Sequence, residues 1–265
     1  MTTQFDLDAW EEVEPLIRRL GVDTRAAADP PDVAFSQFLF RGHGDAAWAL
    51  LSTLERTNPA LRKVIDYYER IIVAKTQIET FTNRSWPDLD YWKVARDLER
   101  YDLLRTGELP AYEYLVYLRH HGFPSPLLDW TASLYIAAFF AFHRPSGSRV
   151  AIHVYQEFAG HGKSSGSDQP QIHQFGPYVR SHPRHFVQQA EYTLCVQYED
   201  GQWQLAQHSH AFAVYGVQQD RLWKITLPSS EAKKVLKRLD EYNINEFSLF
   251  QSEEALMQTL ARRIL

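Results

Sequence analysis

The sequence predicts a single α+β fold, and three observations carry that expectation. Helical apolar spacing dominates the first half of the chain, and strand-like alternation dominates the second. One short apolar strand, Ser36-Gln37-Phe38-Leu39-Phe40, stands early and alone, so it must pair with the later strands and close the two halves into one unit. The chain has 265 residues, 45% of them hydrophobic and 14% aromatic, which is enough to build a substantial core. Residues 1–34 read as an N-terminal helix and connection packed on the domain formed by residues 35–265.

The elements follow in order. Trp10, Val13, Leu16, Ile17 and Leu20 keep helical spacing over residues 8–20, with Gly21 as the expected stop. Residues 22–34, with Pro30-Pro31, read as a connection. After the first strand, Leu61, Ile65, Tyr68, Ile72, Ile78 and Phe81 mark one long helix, which Pro87 separates from a second over residues 88–104. A third begins near Pro110 and ends at His121, with Gly122 as its C-terminal stop. Residues 132–142 are almost wholly apolar and too few to cross a bilayer, so they form the central core helix. Alternation then predicts a half-buried strand at 149–155 and further strands at 192–196, 211–215 and 222–227, with a Gly/Ser-rich loop over 158–170. Val235, Leu236 and Leu239 mark one further helix, and residues 252–264 the last.

Composition excludes several classes. A net charge of −5 gives no global basic footprint, so contact with nucleic acid would have to be local, with Arg180, His182, Arg184 and His185 the one basic cluster. Cys195 is the only cysteine, which rules out internal disulfides and thiolate-rich zinc sites. The first residues lack a basic stretch followed by an apolar one, and no apolar run suits a membrane helix; the expectation is a cytoplasmic protein without membrane contact. His208-x-His210 would share one face of a strand, a lone metal possibility among 11 histidines; no metal is expected.

The stretch that draws attention is Phe40-Arg41-Gly42-His43. An arginine at the end of a buried strand needs an anion or a carboxylate, and a following glycine bares the backbone to a ligand. Asp129, just before the core helix, either caps that helix or pairs with Arg41, and Thr131 competes for the same cap.

Four stretches occur together in order: Phe40-Arg41-Gly42-His43; His121-Gly122-Phe123-Pro124 running into Leu127-Leu128-Asp129-Trp130-Thr131; Gln188-Gln189 before Tyr192-Thr193; and Ile244 through Phe250 ahead of a final helix. In this the chain resembles the FRG-domain family, named for its Phe-Arg-Gly motif, over residues 35–265. It departs from the family pattern at Arg119, where glutamine is usual, at Ser125-Pro126 and at Gln251-Ser252. The motif order is also similar to the ADP-ribosyltransferase superfamily. That resemblance implies a split β-sheet core, with NAD as substrate and an NAD-dependent transfer to a protein or nucleic-acid acceptor. It would suit a bacterial toxin or phage-defence effector, with an antitoxin as possible partner. The alternative is a non-catalytic nucleotide- or phosphate-binding module.

The resemblance also implies site residues. Arg41, Gly42, His43, Thr131, Ser133 and Tyr135 would hold NAD, and Gln189 and Glu191, as Gln-x-Glu, would act with Arg41 in catalysis. The residue types suit the chemistry: a carboxylate stabilises an oxocarbenium-like ribose or serves as base, a guanidinium forks onto phosphate, and an aromatic ring covers nicotinamide. Glu246 and Asp129 are the rival carboxylates.

Overall fold

The computed structural model describes residues 2–26, 36–99, 109–157, 169–180, 183–211 and 220–265. Strand β1 (Thr3–Asp6) precedes a 3-10 turn (Trp10–Glu12) and α1 (Val13–Ala26); β2 is Leu39–His43. Four helices follow, α2 (Thr53–Thr57), α3 (Val64–Thr82), α4 (Tyr91–Glu99) and α5 (Tyr112–His120). Then come β3 (Leu128–Thr131), α6 (Leu134–Phe142), β4 (Arg149–Gln156), β5 (Gln171–Phe175), α7 (Pro183–Val187), β6 (Ala190–Glu199), β7 (Gln202–Leu205), α8 (His208–Ala211) and β8 (Arg221–Pro228). Helices α9 (Ala232–Glu241), α10 (Glu246–Phe250) and α11 (Glu253–Ile264) complete the chain.

The eight strands of the described residues belong to one mixed sheet of order β1-β8-β4-β2-β3-β6-β5, with β7 also on β6; among them only the β1–β8 pair is parallel. The centre of the sheet is weakly joined. β2 is registered to β4 through five pairs and β3 to β6 through four, but β2 meets β3 at the single pair Phe40–Thr131. Two half-sheets, β1-β8-β4-β2 and β3-β6-β5 with β7, therefore hinge on one point.

Each half carries its own helices on the same side. Phe40, Ile152, Val154, Ile225 and Leu227 pack with α1, α6 and α9. Ala190, Tyr192, Leu194 and Val196 pack with α3, α4 and α5. The opposite side is closed by Leu39, Leu50, Leu128, Trp130, Tyr155, Ile172, Cys195 and Leu222. Helix α1 and β1 are thus built into the sheet and its core.

Sequence expectations meet this fold unevenly. α6 is apolar and buried as foreseen, capped by Ser133, whose Oγ accepts from the Ile136 amide. Gly122, at φ 84°, ends the α5 segment. Helix α1 runs through Gly21 to Ala26, because Leu20 and Thr24 continue its buried face. β4 is buried along nearly its whole length, being a central strand covered on both sides. Of the expected strand at 211–215 only Ala211 is described, and it ends the helix α8; 212–215 lie outside the described residues, as do 100–104 of the second predicted helix and most of the 158–170 loop. Among the described residues no helix is long and apolar enough to cross a membrane.

Gly42 explains how closely α6 sits on β2. A Cβ built there would lie 2.0 Å from the Ala137 carbonyl oxygen and 2.5 Å from the Ala141 amide nitrogen. Gly42→Ala must push the helix off the strand, so we expect a loss of about 1–3 kcal/mol or more. Urea denaturation should show a lower midpoint with an unchanged slope.

Candidate functional site

A cleft of about 420 Å³ opens on the helical side of the sheet, where the two half-sheets part. Its floor is Phe40 and Gly42 of β2, Asp129 and Thr131 of β3, and Ala190 and Tyr192 of β6. Arg119 and His120 from α5 form one wall; Phe140 from α6 and Arg144 just past it form another. Arg41, Gly44, Trp48, Trp130, Arg184, Gln188 and Phe250 of α10 complete the lining.

Asp129 is the electrostatic centre. Its Oδ1 lies 3.0 Å from Arg41 Nη1 and accepts from Arg119 Nε at 3.1 Å and from Arg119 Nη2. Arg41 Nη1 also donates to the Asp129 carbonyl at 2.6 Å. Burial alone would raise the Asp129 carboxyl, but the two guanidiniums and their hydrogen bonds outweigh it and hold the group well below the ordinary carboxylate range. Arg41 and Arg119 keep only 11% and 18% side-chain exposure, whereas Asp129 keeps 40%, open to the cleft. Asp129 therefore pairs with Arg41 and leaves the helix cap to Ser133.

Behind Arg41 lies His43. Arg41 Nε donates to His43 Nε2 at 3.0 Å, so that nitrogen carries no proton. Burial, with Arg41 beside it, brings the imidazole down to about 3. His43 is thus a neutral acceptor that orients the arginine, and its ring packs 4.8 Å from that of the buried His153.

The far wall has a comparable chain. His185 Nε2 meets the Pro177 carbonyl at 2.9 Å, which only accepts, so Nε2 bears the proton and Nδ1 accepts from Tyr192 Oη at 3.2 Å. Tyr192 Oη in turn accepts from His120 Nε2 at 2.8 Å. Burial holds the Tyr192 phenol well above its ordinary range. Arg184 Nε donates to the Phe250 carbonyl at 3.0 Å, and Gln188 Nε2 to the Leu249 carbonyl at 3.0 Å, which fixes α10 against the mouth.

Of the residues picked from sequence, Arg41, Gly42, Thr131, the rival carboxylate Asp129 and Arg184 of the basic cluster line this cleft, whereas His43, Ser133, Tyr135, Gln189, Glu191 and Glu246 do not. The space beside Gly42 that a side chain would take is filled by the α6 backbone. The Thr131 hydroxyl donates to the Gln188 carbonyl at 2.7 Å and accepts from the Ser133 amide. Tyr135 donates to Glu14 at 2.8 Å and packs against Trp10 and Tyr242 along a separate groove. Gln189 is exposed in a left-handed turn at φ 46°, while its neighbour Gln188 enters the cleft.

Glu191 is registered opposite Trp130, between Ala190 and Tyr192, so alternation turns it to the other face of β6. There it is buried, accepting from Gln37 Nε2 at 2.9 Å and from Gln174. Burial raises its carboxyl, and those two hydrogen bonds pull the other way without cancelling it. Glu246 begins α10 in a buried position and meets Arg262, with Thr259 at 3.4 Å. Among the described residues no three potential metal ligands converge, and His208 is buried against Thr193 at 2.7 Å.

Sequence reasoning assigned no site role to Arg119, Tyr192, Gln188 or Phe250. Arg119 had a signal, as the departure from the usual glutamine, and Tyr192 stood in a quoted stretch; the aromatic and arginine walls come from helices whose docking no local pattern encodes.

The raised Glu191 carboxyl has a consequence for stability. Its contribution is full below the ordinary value of 4.5 and is lost as pH rises through the higher folded value. Glu191→Gln should therefore flatten the fall of stability with pH, measured by urea denaturation from about pH 4 to 8.

No curated protein and no solved structure matches the chain. The FRG domain model matches residues 36–149, a span that contains β2 with Arg41, α5 with Arg119 and β3 with Asp129. The three residues that meet at Asp129 Oδ1 thus all fall inside the matched segment, and residues 36–149 of this chain are an FRG domain.

Proposed function

We propose that this chain binds a phosphate-bearing nucleotide in the Arg41 cleft. One observation carries the reading: Arg41, Arg119, Arg144 and Arg184 converge on a cleft whose only acidic lining residue, among those described, is Asp129. One carboxylate offsets one of the four charges, so the cleft is cationic and favours an anion. Guanidinium forks match phosphate oxygens, and Trp48, Phe140 and Phe250 offer flat apolar surface to a base. Arg144 is exposed and has no ion-pair partner among the described residues.

Calorimetric titration with ADP and NAD tests this. Saturable binding is expected, weakened about tenfold in Arg144→Ala, as loss of one charged contact implies. Absence of saturable binding by either nucleotide would overturn the reading.

A second reading is NAD-dependent ADP-ribosyl transfer to a protein or nucleic-acid acceptor, in a toxin or phage-defence setting with a neutralising partner. It is favoured by the single-pair junction between the half-sheets, with Arg41 on one side and the strand of Glu191 on the other. The raised carboxyl of Glu191 suits a base better than the strongly depressed one of Asp129. Incubation with NAD should then release nicotinamide, and Glu191→Gln should abolish release while the fold is kept. Binding of NAD without release would leave the non-catalytic binding module.

A further inference from the structure

Every contact to the Asp129 side chain is made by one oxygen. Arg41 Nη1 and Arg119 Nε and Nη2 all meet Oδ1, and Oδ2 has no partner among the described residues. The side chain lines the cleft and keeps 40% of its exposure there. An ionised carboxylate accepts hydrogen bonds and cannot donate, and each oxygen has two lone pairs. Oδ2 is thus a fixed acceptor, held by two guanidiniums and aimed at whatever fills the cleft.

We infer that Asp129 Oδ2 recognises a sugar hydroxyl of the ligand, which makes this a site for ribonucleotides rather than for bare phosphates. The inference rests on the nucleotide reading above and adds the group that sets its selectivity. A phosphate oxygen is repelled by Oδ2, so the phosphates must take Arg144, Arg184 and the outward faces of Arg41 and Arg119. The base takes the apolar surface of Phe140, Phe250 and Trp48. In a nucleotide the sugar joins phosphate to base, and its hydroxyls are the donors left to meet the floor. Arg119 matters here: with two guanidiniums on Oδ1, the carboxylate stays charged and in place while Oδ2 is free to accept.

The test compares ADP, 2′-deoxy-ADP, 3′-deoxy-ADP and inorganic pyrophosphate by calorimetry on the full chain. At least one deoxy analogue should bind about tenfold or more weaker than ADP, since a charge-assisted hydrogen bond is lost. In Asp129→Asn that ratio should fall to about one, while pyrophosphate binds as well as before or better, because an internal negative charge is gone. Equal affinity of all three nucleotides for the unmodified protein would overturn the inference and leave nucleotide binding standing. An undiminished ratio in folded Asp129→Asn would overturn it as well. Failure of ADP and pyrophosphate alike to bind would sink the nucleotide reading itself. The comparison on the unmodified protein needs no variant, so it decides even if Asp129→Asn fails to fold.

Discussion

Asp129 Oδ1 ties the molecule together at the place where its sheet comes apart. β2 and β3 share one registered pair, and beyond it the backbone no longer joins them. In its stead Arg41 reaches from β2 to both the carbonyl and the carboxylate of Asp129, and Arg119 reaches the same oxygen from α5. Buried or half-buried charges are tolerated only when paired and hydrogen-bonded, and here each compensates another. Closing the gap with a continuous ladder would bury three charged groups more deeply. The charged cluster therefore both bridges the two half-sheets and keeps a cleft open between them.

Arg41 can play this part because its surroundings leave it little freedom. On one side of it the next residue, Gly42, is pressed against the backbone of α6, which fixes the height of the strand. Behind it a neutral imidazole accepts from Nε, which spends that donor inside the protein and turns the two terminal nitrogens toward Asp129 and the cleft. A charged His43 would repel the guanidinium and could not accept, so burial that keeps it neutral serves the geometry of Arg41. The Phe-Arg-Gly-His stretch is thus a compact device: packing by the first and third residues, charge from the second, orientation from the fourth.

The sequence made some of this legible and hid the rest for physical reasons. An all-apolar helix and a glycine stop after α5 write themselves into local pattern and lie where they were expected, whereas the lone strand expected at 36–40 is shifted to Leu39–His43, with Arg41 and Gly42 inside it rather than at its end. β3, β5 and β7 have four or five residues, too few for alternation to stand out. α10 has five residues and is held by a buried Glu246, Arg262 and Thr259 rather than by helical periodicity. Tyr135 illustrates the harder problem. Its position in the first turn of the core helix suits a ligand ring, yet the helix directs it toward Glu14 and Trp10, a matter of tertiary docking.

The two faces of β6 bear on what the cleft can do. A strand sends successive side chains to opposite faces, so Glu191 and Tyr192 cannot both face the cleft. Tyr192 does, held by two histidines, and Glu191 turns to the glutamines of the other side. The carboxylate inside the cleft, Asp129, is kept ionised by two guanidiniums that also weaken it as a base. A group in that state is a good acceptor and a poor remover of protons. Its state therefore favours the binding reading proposed above over the transfer reading, which would have to draw its base from Glu191 by freeing that side chain from Gln37 and Gln174, or from a group that the ligand or acceptor brings.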